Sequence, residues 1–252
     1  AGSPQSIVVT CDDQGTNVPV EVWVIDAAGR ADFCTAYVNV QANLVGCNTP
    51  ATATVAGALT SGTQGVEQAN VELNGTPNVN MTFPTGDNGA FNFANVPMGA
   101  NITVTPTKDD NPLNGVTTYD LVLVSKHILG LEPLTSPYTM IAADVNKSGS
   151  ITTFDIVELR KLILGIYLEL PNNTSWRFVD QSYVFPTPSN PFQMLFPENK
   201  TISAIQSNQM DVDFVAIKIG DINGNAIPNN LISTEDRGSG SLLFDVQDRA
   251  VK

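Results

Sequence analysis

Asp144-Val-Asn-Lys-Ser-Gly-Ser-Ile-Thr-Thr-Phe-Asp155 places an oxygen-bearing side chain at almost every second position, directly ahead of a helical pattern. Counted from Asp144 as position 1, Asn146 and Ser148 fall at 3 and 5, and Gly149 falls at 6, where a sharp turn is needed. Ser150 offers its carbonyl at 7, Ile151 points inward at 8, Thr152 acts through water at 9, and Asp155 closes the set at 12. This spacing converges hard oxygen donors on one point, the requirement of Ca2+. The alternative is a surface Asx turn that caps the helix without metal. Only two carboxylates, and Asp rather than Glu at the last position, predict modest affinity, about millimolar, as in extracellular modules.

The segment following this loop is a repeat. Residues 116–131 (VTTYDLVLVSKHILGL) align with 151–166 (ITTFDIVELRKLILGI) at an offset of 35, with eight of sixteen positions identical. Each copy opens with Thr-x-x-Asp, a capping-box variant, and closes with Leu-Gly, where glycine takes the left-handed cap. Leu121, Val124 and Ile128 recur at helical spacing, as do Ile156, Leu159 and Ile163. Two short helices packed on each other are predicted.

Loop, repeat and helices together resemble the dockerin family over about residues 108–166. That resemblance implies two calcium ions and a cohesin as possible partner. The first copy departs from the pattern: in Asp109-Asp-Asn-Pro-Leu-Asn-Gly115, Asp109 and Asn111 sit at positions 1 and 3, but Leu113 takes position 5 and Asn114 position 6. A second cluster, Gly220-Asp-Ile-Asn-Gly-Asn225, has half-loop spacing without a following helix. The expectation is that Asp221, Asn223 and Asn225 join Asp120 around a second calcium; the alternative is a plain turn. Cohesin-contacting residues in dockerins occupy loop positions 10 and 11, here Thr118-Tyr119 and Thr153-Phe154. Their bulk suggests that Tyr119 and Phe154 are core anchors packed on a β module.

Elsewhere the pattern is β. Short alternating runs at Ile7–Thr10, Val18–Ile25 and Phe33–Val40 resemble the last part of an immunoglobulin-like repeat. Residues 54–106 contain five more, and Asp87-Asn-Gly-Ala-Phe-Asn-Phe93 followed by Pro97-Met-Gly99 resembles the hairpin of carboxypeptidase-regulatory-like and Cna-B-like domains. The expected fold is therefore mainly β with a small α part: tandem β-sandwich modules plus a dockerin-like pair of calcium-loop helices. Its divisions are a partial immunoglobulin-like module (1–50), a Cna-B-like sandwich (51–107), a calcium module with β extension (108–226), and a linker with a terminal strand at Leu242–Val246 (227–252). Cys11, Cys34 and Cys47 leave an odd thiol if the first two pair.

Acids outnumber bases 25 to 12, which repels nucleic-acid phosphates and suits cations. No apolar run approaches the ~20 residues needed to span a bilayer. The single histidine, His127, replaces Leu162 in the repeat, and no nucleophile elbow, zinc-protease helix or phosphate loop occurs. A non-enzymatic, extracellular or cell-surface protein is expected. One reading is a calcium-stabilised structural or adhesive protein that associates with other domains of a larger parent or polymerises by donating its terminal strand. The other is a docking module for a cohesin in a polysaccharide-degrading setting.

Overall fold

The computed structural model describes residues 7, 9, 13, 16–40 and 51–229. It divides the chain once, into units 1–51 and 52–252. In the first unit β1 (Asn17–Ile25) and β2 (Ala31–Asn39) form an antiparallel hairpin. The Asp26 carboxylate fastens its turn by accepting from the Ala28 and Arg30 amides, both at 2.9 Å. Trp23 stacks on Phe33 across the strands. The described part of this unit is two-stranded, not the three or four strands expected: Ile7 and Val9 are not in a strand, and Val8 and Thr10 lie outside the described residues. Cys34 is an exposed free thiol among the described residues, whereas Cys11 and Cys47 lie outside them. The terminal strand expected at Leu242–Val246 also lies outside them.

The second unit corrects the expected division at residue 107. Residues 51–107 and the chain beyond them share sheets, because later strands pair with earlier ones. One sheet runs β10 (Lys200–Ile202), β8 (Asn101–Thr107), β5 (Asn70–Thr76), β6 (Val79–Pro84). The other runs β4 (Gln64–Gly65), β3 (Thr52–Ser61), β11 (Phe214–Lys218), β9 (Trp176–Asp180), with β7 (Ala90–Pro97) also on β3. β11 lies parallel to β3 and antiparallel to β9.

Alternation along β9 and β11 feeds two cores, since successive side chains leave opposite faces. Trp176, Phe178, Phe214 and Ala216 join the first core with Val55, Leu59, Val71, Leu73, Phe91 and Val104. Val179 and Ile217 join the second with residues of three helices: α1 (Thr118–Ile128), α2 (Pro137–Ala143) and α3 (Thr153–Ile163). β11 is thus covered on both sides, as a buried parallel strand must be. α1 and α3 have full capping boxes, Thr117 with Asp120 and Thr152 with Asp155. α2 was not expected. Ser136 caps it, Pro137 opens it, and Met140 through Ala143 are all buried. No helix among the described residues is long and apolar enough to cross a membrane.

Candidate metal centres

The α3 capping box places Asp155 at the mouth of the loop that Asp144 begins. Asp144 Oδ1 accepts from the Ser148 amide (2.8 Å) and Oδ2 from the Gly149 amide (2.9 Å). Asn146 Oδ1 accepts from Ser148 as well, at 3.0 Å. Asp155 Oδ1 accepts from the Asn146 amide (3.1 Å), and Oδ2 from that of Thr152 (2.8 Å). Gly149 has φ of +76°, the left-handed turn that brings the Ser150 carbonyl round to the Ser148 hydroxyl, 3.1 Å away. From outside, buried Asn173 donates to the carbonyls of Asp144 and Val145 (3.1 and 3.2 Å) and sets the loop's entry. Nothing local in the sequence signals this role of Asn173.

A second arrangement repeats this one with its chain cut in two. Asp221 Oδ1 accepts from the amides of Gly224 (2.9 Å) and Asn225 (3.2 Å), Oδ2 from that of Ala226 (2.8 Å). Asn223 Oδ1 accepts from Asn225 at 3.1 Å. Asp120 Oδ1 then accepts from the Ile222 and Asn223 amides (2.8 and 3.3 Å), and Oδ2 from Thr117 (2.8 Å). Asp221, Asn223, Asn225, Ala226 and Asp120 thus stand where Asp144, Asn146, Ser148, Gly149 and Asp155 stand in the continuous loop. Gly115 is the residue that the 35-residue offset aligns with Ser150. The splice is close-fitting: a Cβ on Gly115 would lie 2.6 Å from the Ala226 nitrogen. Beside it the Asn114 amide bonds both ways with the Ile227 backbone, at 2.8 and 3.1 Å. Residues 227–229, expected to begin a linker, are therefore tied down; Pro228 also accepts from the Glu67 amide at 3.0 Å.

Two of the expected ligands are not brought into either cluster. Asp109 is exposed and accepts from the Ser175 amide at 2.7 Å, and Asn111 is exposed with φ of +45°. Residues 221–226, not 109–114, stand beside Asp120.

The four carboxylates are buried, none more than 6% exposed, and among the described residues none enters an ion pair. Burial pushes Asp144 above the ordinary carboxylate range, with Asp155 adding to the effect against the amide hydrogen bonds. Burial does the same to Asp221, with Asp120 adding. Paired, buried, like-charged carboxylates call for a cation. Among the described residues no three His, Cys, Asp or Glu side chains gather as a metal cluster. Each loop instead combines two carboxylates with an asparagine amide oxygen, joined at 148–150 by hydroxyl and carbonyl oxygens, a set that fits calcium and not zinc.

Tyr119 and Phe154 are not core anchors: they are 54% and 71% exposed. Each ring stands in the first turn of its helix, in water. Val122 and Val157, and Leu129 and Leu164, are further exposed pairs at the same offset. α1 and α3 therefore present an apolar outer surface in two matching halves. His127 has a structural part, its Nδ1 accepting from the Leu134 amide at 3.0 Å. Residues 109–164 match the family model of the dockerin type I domain. No curated protein matches the chain.

Proposed function

We propose that the chain is a non-catalytic, extracellular docking module, held in shape by calcium, whose α1–α3 surface receives a cohesin-type partner. The dockerin match over 109–164 supports a calcium-binding, partner-docking role. The observation that carries the reading is the exposure of Tyr119, Val122 and Leu129 together with Phe154, Val157 and Leu164. Matched apolar side chains left in water on two helices mark an interaction surface.

In this reading Asp144, Asn146, Ser148, the Ser150 carbonyl, Thr152 and Asp155 hold one calcium. Asp221, Asn223, Asn225, the Gly115 carbonyl, Thr117 and Asp120 hold the other. The ion supplies positive charge that the buried carboxylates lack. The chain's own part is to preset the donors: capping boxes aim Asp120 and Asp155, and β11 delivers residues 221–226. Self-association through the terminal segment is a separate reading with no comparable support among the described residues.

Two measurements test the proposal. Native mass spectrometry should count two calcium ions per chain, with Asp144→Ala and Asp221→Ala each removing one. A cohesin panel should capture the protein in calcium and release it in chelator. Absence of calcium, or a cohesin-blind protein with both ions bound, overturns the respective half.

A further inference from the structure

Lys218, the last residue of β11, is buried at 3% exposure. Its Nζ donates to the carbonyls of Pro112 (2.8 Å) and Ile219 (3.2 Å). Pro112 belongs to the half loop that Asp109 begins, and Ile219 leads into Asp221. One amine thus bonds both to the 109–115 segment and to the chain that leads into 221–226. The carboxylates facing it are Asp221, Asp110, Asp109 and Asp120, and all four favour its charge. Burial opposes them and pulls the amine down to about 7. The other buried lysine nearby, Lys108, is committed to Asp110 at 2.9 Å. The cations near the continuous loop are engaged elsewhere: buried Arg177, whose charge favours the Asp144 carboxylate, pairs with Glu198 at 2.7 Å, and exposed Lys147 reaches the same carboxylate at 3.8 Å.

We infer that Lys218 is a resident counter-charge for the split loop, holding its two segments closed without metal and weakening its calcium affinity relative to the loop at 144–155. The reasoning is electrostatic. A buried ammonium neutralises part of the Asp120–Asp221 pair, so the split loop needs an added cation less. The same charge repels a divalent ion across a medium of reduced dielectric. The inference rests on the calcium reading of the split loop. It makes Lys218 a positioning residue, not a ligand.

The test uses the whole chain. Calcium titration followed by native mass spectrometry reads each affinity, and hydrogen exchange in chelator reads closure of 219–227. In the wild type, chelator should expose amides at 144–155 and leave 219–227 protected. Lys218→Met should strengthen binding at the split loop by about tenfold. It should also remove the metal-free protection of 219–227, and leave the 144–155 affinity unchanged. A merely structural lysine would weaken binding when removed. If the Met variant does not fold, Lys218→Gln keeps donors for the Pro112 and Ile219 carbonyls while removing charge, and should strengthen binding alike. Unchanged affinity and unchanged protection in either variant overturn the inference. Should the split loop take up no calcium in any variant, the calcium reading fails there. Protection lost only on replacing Lys218 then still supports its closing role.

Discussion

The continuous loop takes all its oxygens from twelve consecutive residues, whereas the split loop assembles the same hydrogen-bond pattern from segments whose contacting residues, Asp120 and Ile222, are 102 positions apart. The contrast shows what this arrangement of donors requires. Contiguity is dispensable, because loop-closure entropy grows slowly, about 0.6 kcal/mol for each doubling of length. Rigid delivery is indispensable. β11, paired with β3 and β9, ends three residues before Asp221 and anchors it. The continuous loop instead relies on α2, whose end is Asp144 itself. One loop is organised by its neighbours in sequence, the other by a sheet.

The largest effect should come from breaking the continuous loop. Asp144→Ala removes one calcium and strands the Ser148 and Gly149 amides that its carboxylate serves. Loss of the ion is worth about 2.7 kcal/mol at a hundredfold excess over Kd, and the stranded amides add about 1–2. Denaturant unfolding in calcium should therefore show a loss of about 4 kcal/mol. A loss below about 1 kcal/mol would mean that the loop is an Asx turn with no ion to lose.

Next comes the splice. Gly115→Ala forces a Cβ against Ala226 at a φ of +73° and should cost about 2–3 kcal/mol. Ser150→Ala, at the aligned position of the continuous loop, should stay within about 0.5 kcal/mol. Equal costs, measured side by side by thermal unfolding, would erase the distinction between the two loops.

These particulars also explain what the sequence made legible. Asp144 to Asp155 was readable because the ligand pattern is local, and the helices because the repeat compares the chain with itself. The strands at 54–106 were readable from alternation. The module boundary at 107 was misread, because β3–β11 and β8–β10 pairing joins residues about a hundred positions apart and leaves no local trace. Tyr119 and Phe154 were misplaced for a different reason: bulk and apolarity fit a core and a docking surface equally well. α2 carried a readable signal, Ser136-Pro137, a cap followed by the proline favoured at the first helical position. That Asp120 meets Asp221 was inferred from ligand types alone. That Asp109 and Asn111 do not reach them depends on the Ser175 contact, which only the fold reveals.

Acid should shrink the benefit of calcium at both loops. In chelator, Asp144 and Asp221 titrate above their ordinary value because burial disfavours their charge. Their contribution to stability is then present below that ordinary value and lost as pH rises through the raised one. Calcium requires the charged forms, which reverses the sign. The rise in Tm on adding calcium should therefore narrow as pH falls from about 7 to about 5. A constant rise would place the ion away from both aspartates.

The smallest effect on stability belongs to the outer surface. Tyr119→Ala and Phe154→Ala remove side chains that are already in water, so each should change stability by no more than about 0.5 kcal/mol. Docking should respond differently, because aromatic anchors at the centre of an interface cost about 2 kcal/mol or more when truncated. The repeat sharpens this into a comparison. If a partner engages the two matching halves together, each substitution weakens capture on a cohesin-coated sensor; if it engages only one, Tyr119→Ala and Phe154→Ala differ. Two variants that fold, hold both calcium ions and bind as the wild type does would show that the exposed pairs serve no docking role. The calcium loops would then stabilise the fold alone.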